Sequence, residues 1–142
     1  MIVKIKKLHS SARIPTYGTD NSACVDLYAI ENYLIRPTDG IRFISTGIAV
    51  EIQEGYYGEV YNRSGWATKQ GLVIMSSRII DADFRGEMVV PMKVMLNRAV
   101  GINTGDRIAQ MMVKKYDKIK FEVVDELDET ERGEGGFGST GR

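Results

Sequence analysis

Apolar and polar residues alternate with a period of two along much of this chain, and no long stretch repeats every 3.6 residues. Val3 and Ile5 alternate with Lys4 and Lys6. Ile48, Val50 and Ile52 alternate with Ala49 and Glu51, and Val90, Met92, Val94 and Leu96 with Pro91, Lys93 and Met95. Successive strand side chains point to opposite faces, so each run predicts a strand with one buried face. Residues 107–115 and 119–124 are further strand candidates. Pro37-Thr38-Asp39-Gly40, Glu54-Gly55 and Asn103-Thr104-Gly105-Asp106 supply turns between the runs. Pro91 has no backbone N–H and predicts an edge or a bulge in its strand. One short helix is predicted near 66–71, stopped by Gly71. Strands at this spacing predict an all-β sandwich, barrel or jelly-roll-like fold.

The pattern breaks near residue 125. Asp125 to Glu131 is acidic, and Arg132 to Arg142 holds five glycines and one large apolar residue, Phe137. Such a segment buries too little surface to order itself. The expected organisation is therefore a β domain over 1–125 and a C-terminal arm over 126–142. The arm is either a disordered tail or a lid that orders on a ligand. In the second case Phe137 offers a flat face, and the N–H groups and hydroxyls of Gly138, Ser139 and Thr140 are anion donors.

Composition narrows the function. At 142 residues the chain is one domain's worth, and 19 basic against 19 acidic residues leave no net charge. That balance argues against a nucleic-acid binder or a membrane-surface protein. No apolar run approaches the roughly 20 residues of a membrane helix, and the charged Met1–Lys7 stretch does not read as a secretory leader. A single cysteine, Cys24, excludes an internal disulfide and suits a reducing, intracellular compartment. With His9 the only histidine, a His/Cys zinc site is excluded too.

Four segments carry candidate chemistry. Asn62-Arg63-Ser64-Gly65 follows a strand and opens the short helix, which suits either a phosphate seat or a surface turn. In Ile80-Asp81-Ala82-Asp83-Phe84-Arg85-Gly86, a strand would put Asp81 and Asp83 on one face and Phe84 on the other. The two carboxylates serve as a general base, a metal ligand or solvated charges. Asp26, flanked by Val25 and Leu27, marks a strand end or a site. Gly105-Asp106-Arg107-Ile108-Ala109-Gln110 runs from a turn into a strand, with Asp106 and Arg107 expected to pair locally.

Taken in order with the Gly-rich arm, these four segments resemble the five motifs of the homotrimeric dUTP pyrophosphatases, the dUTPases. Ala23 to Leu27 resembles the first, Arg63 to Ala67 the second, Ile80 to Gly86 the third, Gly105 to Gln110 the fourth, and Arg132 to Gly141 the fifth. The resemblance spans about residues 20 to 142. It implies a distorted β-barrel or jelly-roll-like β-clip and a trimer whose sites lie between subunits, each closed by a C-terminal arm. It implies Mg²⁺-dependent hydrolysis of dUTP to dUMP and pyrophosphate, with dUMP feeding thymidylate synthesis. The implied location is the cytoplasm, that of a host cell if the gene is viral.

The resemblance also assigns roles. Asp81 would aim and deprotonate the attacking water, and Asp26 would anchor Mg²⁺ through water. Arg63, Ser64, Gly65 and Gln110 would hold the phosphate chain; Arg132, Gly138, Ser139 and Thr140 would reach the terminal phosphates from the arm. The hairpin bearing Met75, Ile79 and Ile80 would contact the base, Phe84 the deoxyribose, and Phe137 would stack on the base. Met75 and Arg78 stand where the family usually has Asn and Gly, Asn62 where Pro is common, and Cys24 where Gly is common. Met cannot make the bidentate contact of an Asn, so relaxed or altered pyrimidine preference is an alternative. A dCTP-processing relative such as a deaminase, and a non-catalytic regulatory protein on the same fold, are the other two.

Overall fold

The computed structural model describes residues 1–75 and 79–136. Among them twelve strands follow in chain order: β1 Lys4–Lys7, β2 Thr16–Tyr17, β3 Val25–Tyr28, β4 Tyr33–Ile35, β5 Arg42–Ser45, β6 Ile48–Glu51, β7 Tyr56–Asn62, β8 Leu72–Ile74, β9 Ile79–Ile80, β10 Val89–Val94, β11 Val100–Ile102 and β12 Arg107–Lys115. They pair antiparallel in four sheets, ordered β1-β6, β5-β10-β8, β11-β4 and β2-β3-β12-β7-β9. Their inward faces share one core, centred on the fully buried Leu27, Ile35, Ile44, Leu72, Met92 and Ile108. The small sheets curl around that core as a distorted, jelly-roll-like β domain. The alternation of β10 is kept, with Val90, Met92 and Val94 buried.

Pro91 departs from expectation. It lies in β10, the middle strand of its sheet, not in an edge strand. The reason is the register. Met92 to Val94 pair with β8, whereas Pro91 falls just past the end of that ladder. The Met75 N–H donates to the Pro91 carbonyl at 2.9 Å, and proline simply cannot return the bond. One hydrogen bond at a ladder's end is all that is lost.

The helix expected near 66–71 is a π-helical turn, Gly65–Gln70. Its last bond runs from the Gly71 N–H to the Trp66 carbonyl five residues back, and Gly71 adopts φ +64°. A Cβ on Gly71 would collide with the Leu96 side chain. Gly71→Ala is therefore expected to cost about 1–3 kcal/mol, from left-handed strain plus overpacking. A urea midpoint that falls at unchanged m-value checks this.

The strand candidate 119–124 is not formed: no regular element follows β12 among the described residues. Ile119 (72% exposed), Phe121 (89%) and Val123 (98%) stand in solvent instead. The period-two pattern is real, but a strand needs a neighbour for its N–H and C=O groups, and β12 ends without one beside this segment.

Candidate active site

The five-stranded sheet places the phosphate-type residues. Gln110 on β12 lies opposite Asp26 on β3 and Tyr61 on β7. The chain leaves β7 at Asn62 and passes through Arg63, Ser64 and Gly65 into the π-helical turn. Three of the motifs thus meet at one end of the sheet. Arg63 Nε lies 2.9 Å from Asp26 Oδ1, and Arg107 Nη1 lies 3.3 Å from Asp26 Oδ2. Arg63 Nη1 donates to the Arg107 carbonyl at 3.1 Å, and Gln110 Nε2 to the Asn62 carbonyl at 3.1 Å. Asn62 Oδ1 accepts from the Ile74 N–H at 2.8 Å, which ties the motif to β8. Arg63 Nη1 is bonded inside the protein and Nε faces Asp26, which leaves the Nη2 edge of its fork for a ligand.

Asp26 is buried, with only 6% of its surface exposed, and two guanidinium groups satisfy its charge. The local pair expected between Asp106 and Arg107 does not form. Asp106 Oδ2 caps its own turn at the Asn103 N–H, 2.8 Å away, and Arg107 turns to Asp26. No group of three His, Cys, Asp or Glu residues able to hold a metal occurs among the described residues. A carboxylate offers about four acceptor sites, and two of those of Asp26 face guanidinium groups, which leaves the others for the waters of an ion.

Asp81 belongs to a different part of the surface. Ile79 and Ile80 of β9 pair with Glu59 and Gly58 of β7, so Asp81 emerges level with Tyr57. Gly58 makes this possible: a Cβ there would press on Ile80 Cβ at 3.2 Å and Met111 Sδ at 3.2 Å. Asp81 then opens a turn closed by the Phe84 N–H to the Asp81 carbonyl at 3.1 Å. Asp81 and Asp83 are therefore not on a strand, as the spacing suggested, because β9 stops at Ile80. Both are exposed, at a cleft of about 660 Å³ shared with Glu51, Glu54, Arg85 and Lys118. The Phe84 ring lies over Gly86, where any Cβ would strike it at 2.6 Å. Met75 and Ile79 are exposed and Ile80 is half-buried, and β8 and β9 pair in different sheets, with β10 and β7. The five residue steps from Asn62 to Tyr57 separate Asp81 from the Arg63 cluster by about 17 Å along β7.

Arg132 joins neither half. Its Nε donates to the Gly135 carbonyl at 2.7 Å within a local turn. Phe137, Gly138, Ser139 and Thr140 lie outside the described residues, as does Arg78. A single chain thus carries the proposed phosphate contacts at one place and the proposed general base, Asp81, at another.

Lys114, opposite Tyr57 on β7, reaches along the sheet, and its Nζ donates to Tyr61 Oη at 2.6 Å and to Glu59 Oε2 at 2.9 Å. These bonds to Tyr61 and Glu59 push the Lys114 ammonium above its usual range, and that to Lys114 holds the Glu59 carboxyl below its own. Burial pushes the Cys24 thiol up, against the pull of Lys114, which argues against a reactive cysteine. Sequence reasoning missed Trp66 and the partner of Arg107. The indole N–H of Trp66 donates to the Arg107 carbonyl at 2.7 Å, a contact 41 residues apart for which spacing gives no signal.

The dUTPase family model matches residues 10–141. A deoxyuridine 5'-triphosphate nucleotidohydrolase of Helicobacter pylori is 42% identical over 142 residues, which cover 99% of this chain and 97% of that protein. Among solved structures, a mutant of the dUTPase of Staphylococcus bacteriophage 80alpha with dUpNHpp superposes with a TM-score of 0.90 at 28% identity, covering 99% of each chain. A mutant dUTPase from phage phi11 of S. aureus, described for its coordination of a structural Mg(II) ion, superposes with a TM-score of 0.81 at 25% identity, covering 89% of this chain and 99% of that one.

Proposed function

This chain belongs to the dUTPase family, and from that premise we propose that it hydrolyses dUTP to dUMP and pyrophosphate in an assembly of three copies. It is a dUTP diphosphatase. The observation that carries the reading is the convergence of Asp26 and Gln110, on adjacent strands, with Arg63, just past the end of β7, beside the Ser64-Gly65 turn. A guanidinium edge, a hydroxyl, an amide and free N–H groups are the donors a triphosphate needs.

In this mechanism Arg63, Ser64, Gly65 and Gln110 grip the phosphate chain. Asp81 takes a proton from a water as its oxygen attacks the α-phosphorus, and the bond to the β-phosphate's bridging oxygen breaks to release pyrophosphate. Bound Mg²⁺ would neutralise charge on the phosphates. The residues fit an ion carried mainly by the substrate and its waters, with Asp26 as the outer anchor, and not a protein cage. Phe84 would lie against the deoxyribose and leave no room for a 2′-hydroxyl.

Two observations support assembly. Asp81 and the Arg63 cluster of one chain are about 17 Å apart along β7, too far for a water held by Asp81 to reach a phosphate chain gripped by Arg63, so a neighbour completes each site. The bare ribbon of Ile119, Phe121 and Val123 offers three large apolar side chains to such a neighbour. Burying them would contribute about 5–9 kcal/mol per chain before entropy, against a typical domain stability of about 5–15 kcal/mol. We keep the division at residue 125, with the body and its bare ribbon over 1–125 and, over 126–142, an arm that closes a site and brings Arg132, Phe137, Gly138, Ser139 and Thr140 to the nucleotide. We place the enzyme inside the cell, where its substrate forms.

Met75 supports a second reading. Its exposed thioether follows β8 in the segment assigned to the base and offers no hydrogen-bond pair to a pyrimidine edge. Relaxed base choice is expected from it. The test is pyrophosphate release from dUTP, dCTP, dTTP and UTP with and without Mg²⁺. Release from dUTP and not UTP supports the main reading, and comparable rates on dCTP or dTTP support relaxed choice. Ammonia in place of pyrophosphate would sink both.

A further inference from the structure

If Arg63 grips phosphate, something must hold its guanidinium at a fixed angle. We propose that Trp66 is a positioning residue for Arg63, because its indole N–H and Arg63 Nη1 dock on one acceptor, the Arg107 carbonyl oxygen, at 2.7 and 3.1 Å. The inference rests on the phosphate-binding reading of Arg63 and adds to it a residue outside the assigned contacts.

Register explains why that oxygen is available. The ladder between β12 and β7 begins at Ala109 opposite Asn62, and the pairing of β12 with β3 shifts between Arg107 and Ala109. The Arg107 carbonyl therefore lies beyond the β7 ladder, at the point where the chain departs into the π-helical turn. A carbonyl has two lone pairs, and here two side-chain donors occupy them. Both come from the same turn, since Trp66 is three residues after Arg63 and the Ala67 N–H donates to the Arg63 carbonyl at 3.1 Å. The indole fastens the start of the turn to β12, while Asp26 holds the Arg63 Nε at 2.9 Å.

The far end is fastened too. Arg98 Nη2 donates to the Lys69 carbonyl at 2.5 Å and to Gln70 Oε1 at 3.1 Å, and Gly71 closes the wide turn on the Trp66 carbonyl. A π-helical turn is uncommon and tends to occur at functional sites. Here it sets Trp66 against β12, with Ser64 and Gly65 left exposed at the opening. Packing alone is the competing explanation, since the Trp66 ring also lies against the core.

Trp66→Phe separates the two, because it keeps a ring and deletes the N–H. KM for dUTP is expected to rise about five- to tenfold, the worth of one hydrogen bond, with kcat within about twofold, the mark of lost uniform binding. In an Arg63→Met background the same change should add less than about twofold to the Kd of dUpNHpp, by calorimetry. An unchanged KM, or the same penalty with and without Arg63, overturns the proposal. Should the variant not fold, Trp66 as the chain's one tryptophan reports directly in the wild type. Its emission must shift on saturation with dUpNHpp, and an unaltered spectrum overturns the proposal. Wild-type turnover of dUTP is measured alongside. Its absence defeats the reading of the site and this inference with it, whereas normal turnover with an unaffected variant defeats the inference alone.

Discussion

Asp81→Asn is expected to lower kcat by about 10²- to 10⁴-fold, the range for loss of a positioned general base, while Tm stays within a degree or two of wild type. The side chain is exposed at its turn and makes no buried contact that folding requires. Nucleotide affinity should survive, because the phosphate contacts lie elsewhere. The split geometry allows a sharper version. Arg63→Met disables the other half, about 17 Å away along β7. Mixing the two inactive variants under conditions that exchange subunits should restore activity, since some sites would combine an intact Asp81 with an intact Arg63. Persistent inactivity of the mixture, with exchange shown by mass spectrometry, would falsify sites shared between copies.

Deleting residues 132–142 should have the second large effect. The truncated protein keeps every strand and every core residue, so it should fold and assemble as before. It loses the proposed arm contacts to the terminal phosphates and the base stack, the latter alone worth about 1–3 kcal/mol. Turnover at subsaturating dUTP should fall at least a hundredfold. Full activity in the truncated protein would remove the lid role of the arm.

The body of the fold was legible from alternation because each strand packs one face on a common core. Ile48 to Glu51, Val89 to Val94 and Arg107 to Lys115 all form where the pattern places them. Partners were not legible. Nothing in the spacing says that Asp26, Arg63 and Arg107 meet, since cross-strand neighbours are set by sheet order. The pairing of Arg107 with Asp26 shows the limit well: its sequence neighbour Asp106 was the nearer carboxylate, but a turn had already claimed it. Asp81 and Asp83 were misplaced on a strand for a related reason. β9 ends at Ile80, and the chain turns immediately, with the Phe84 N–H closing on the Asp81 carbonyl.

The unpartnered ribbon beyond β12 has a consequence for the chain's life before assembly. Between release from the ribosome and the meeting of copies, Ile119, Phe121 and Val123 form a sticky edge open to any other unpaired strand. Lys118, Lys120 and Glu122 alternate with them, and charges so placed act as gatekeepers against stacking into fibrils. Crowding many nascent chains together shortens the wait for a legitimate neighbour. Slow synthesis at low copy number prolongs it, and that is the regime in which chaperone capture of this segment matters most.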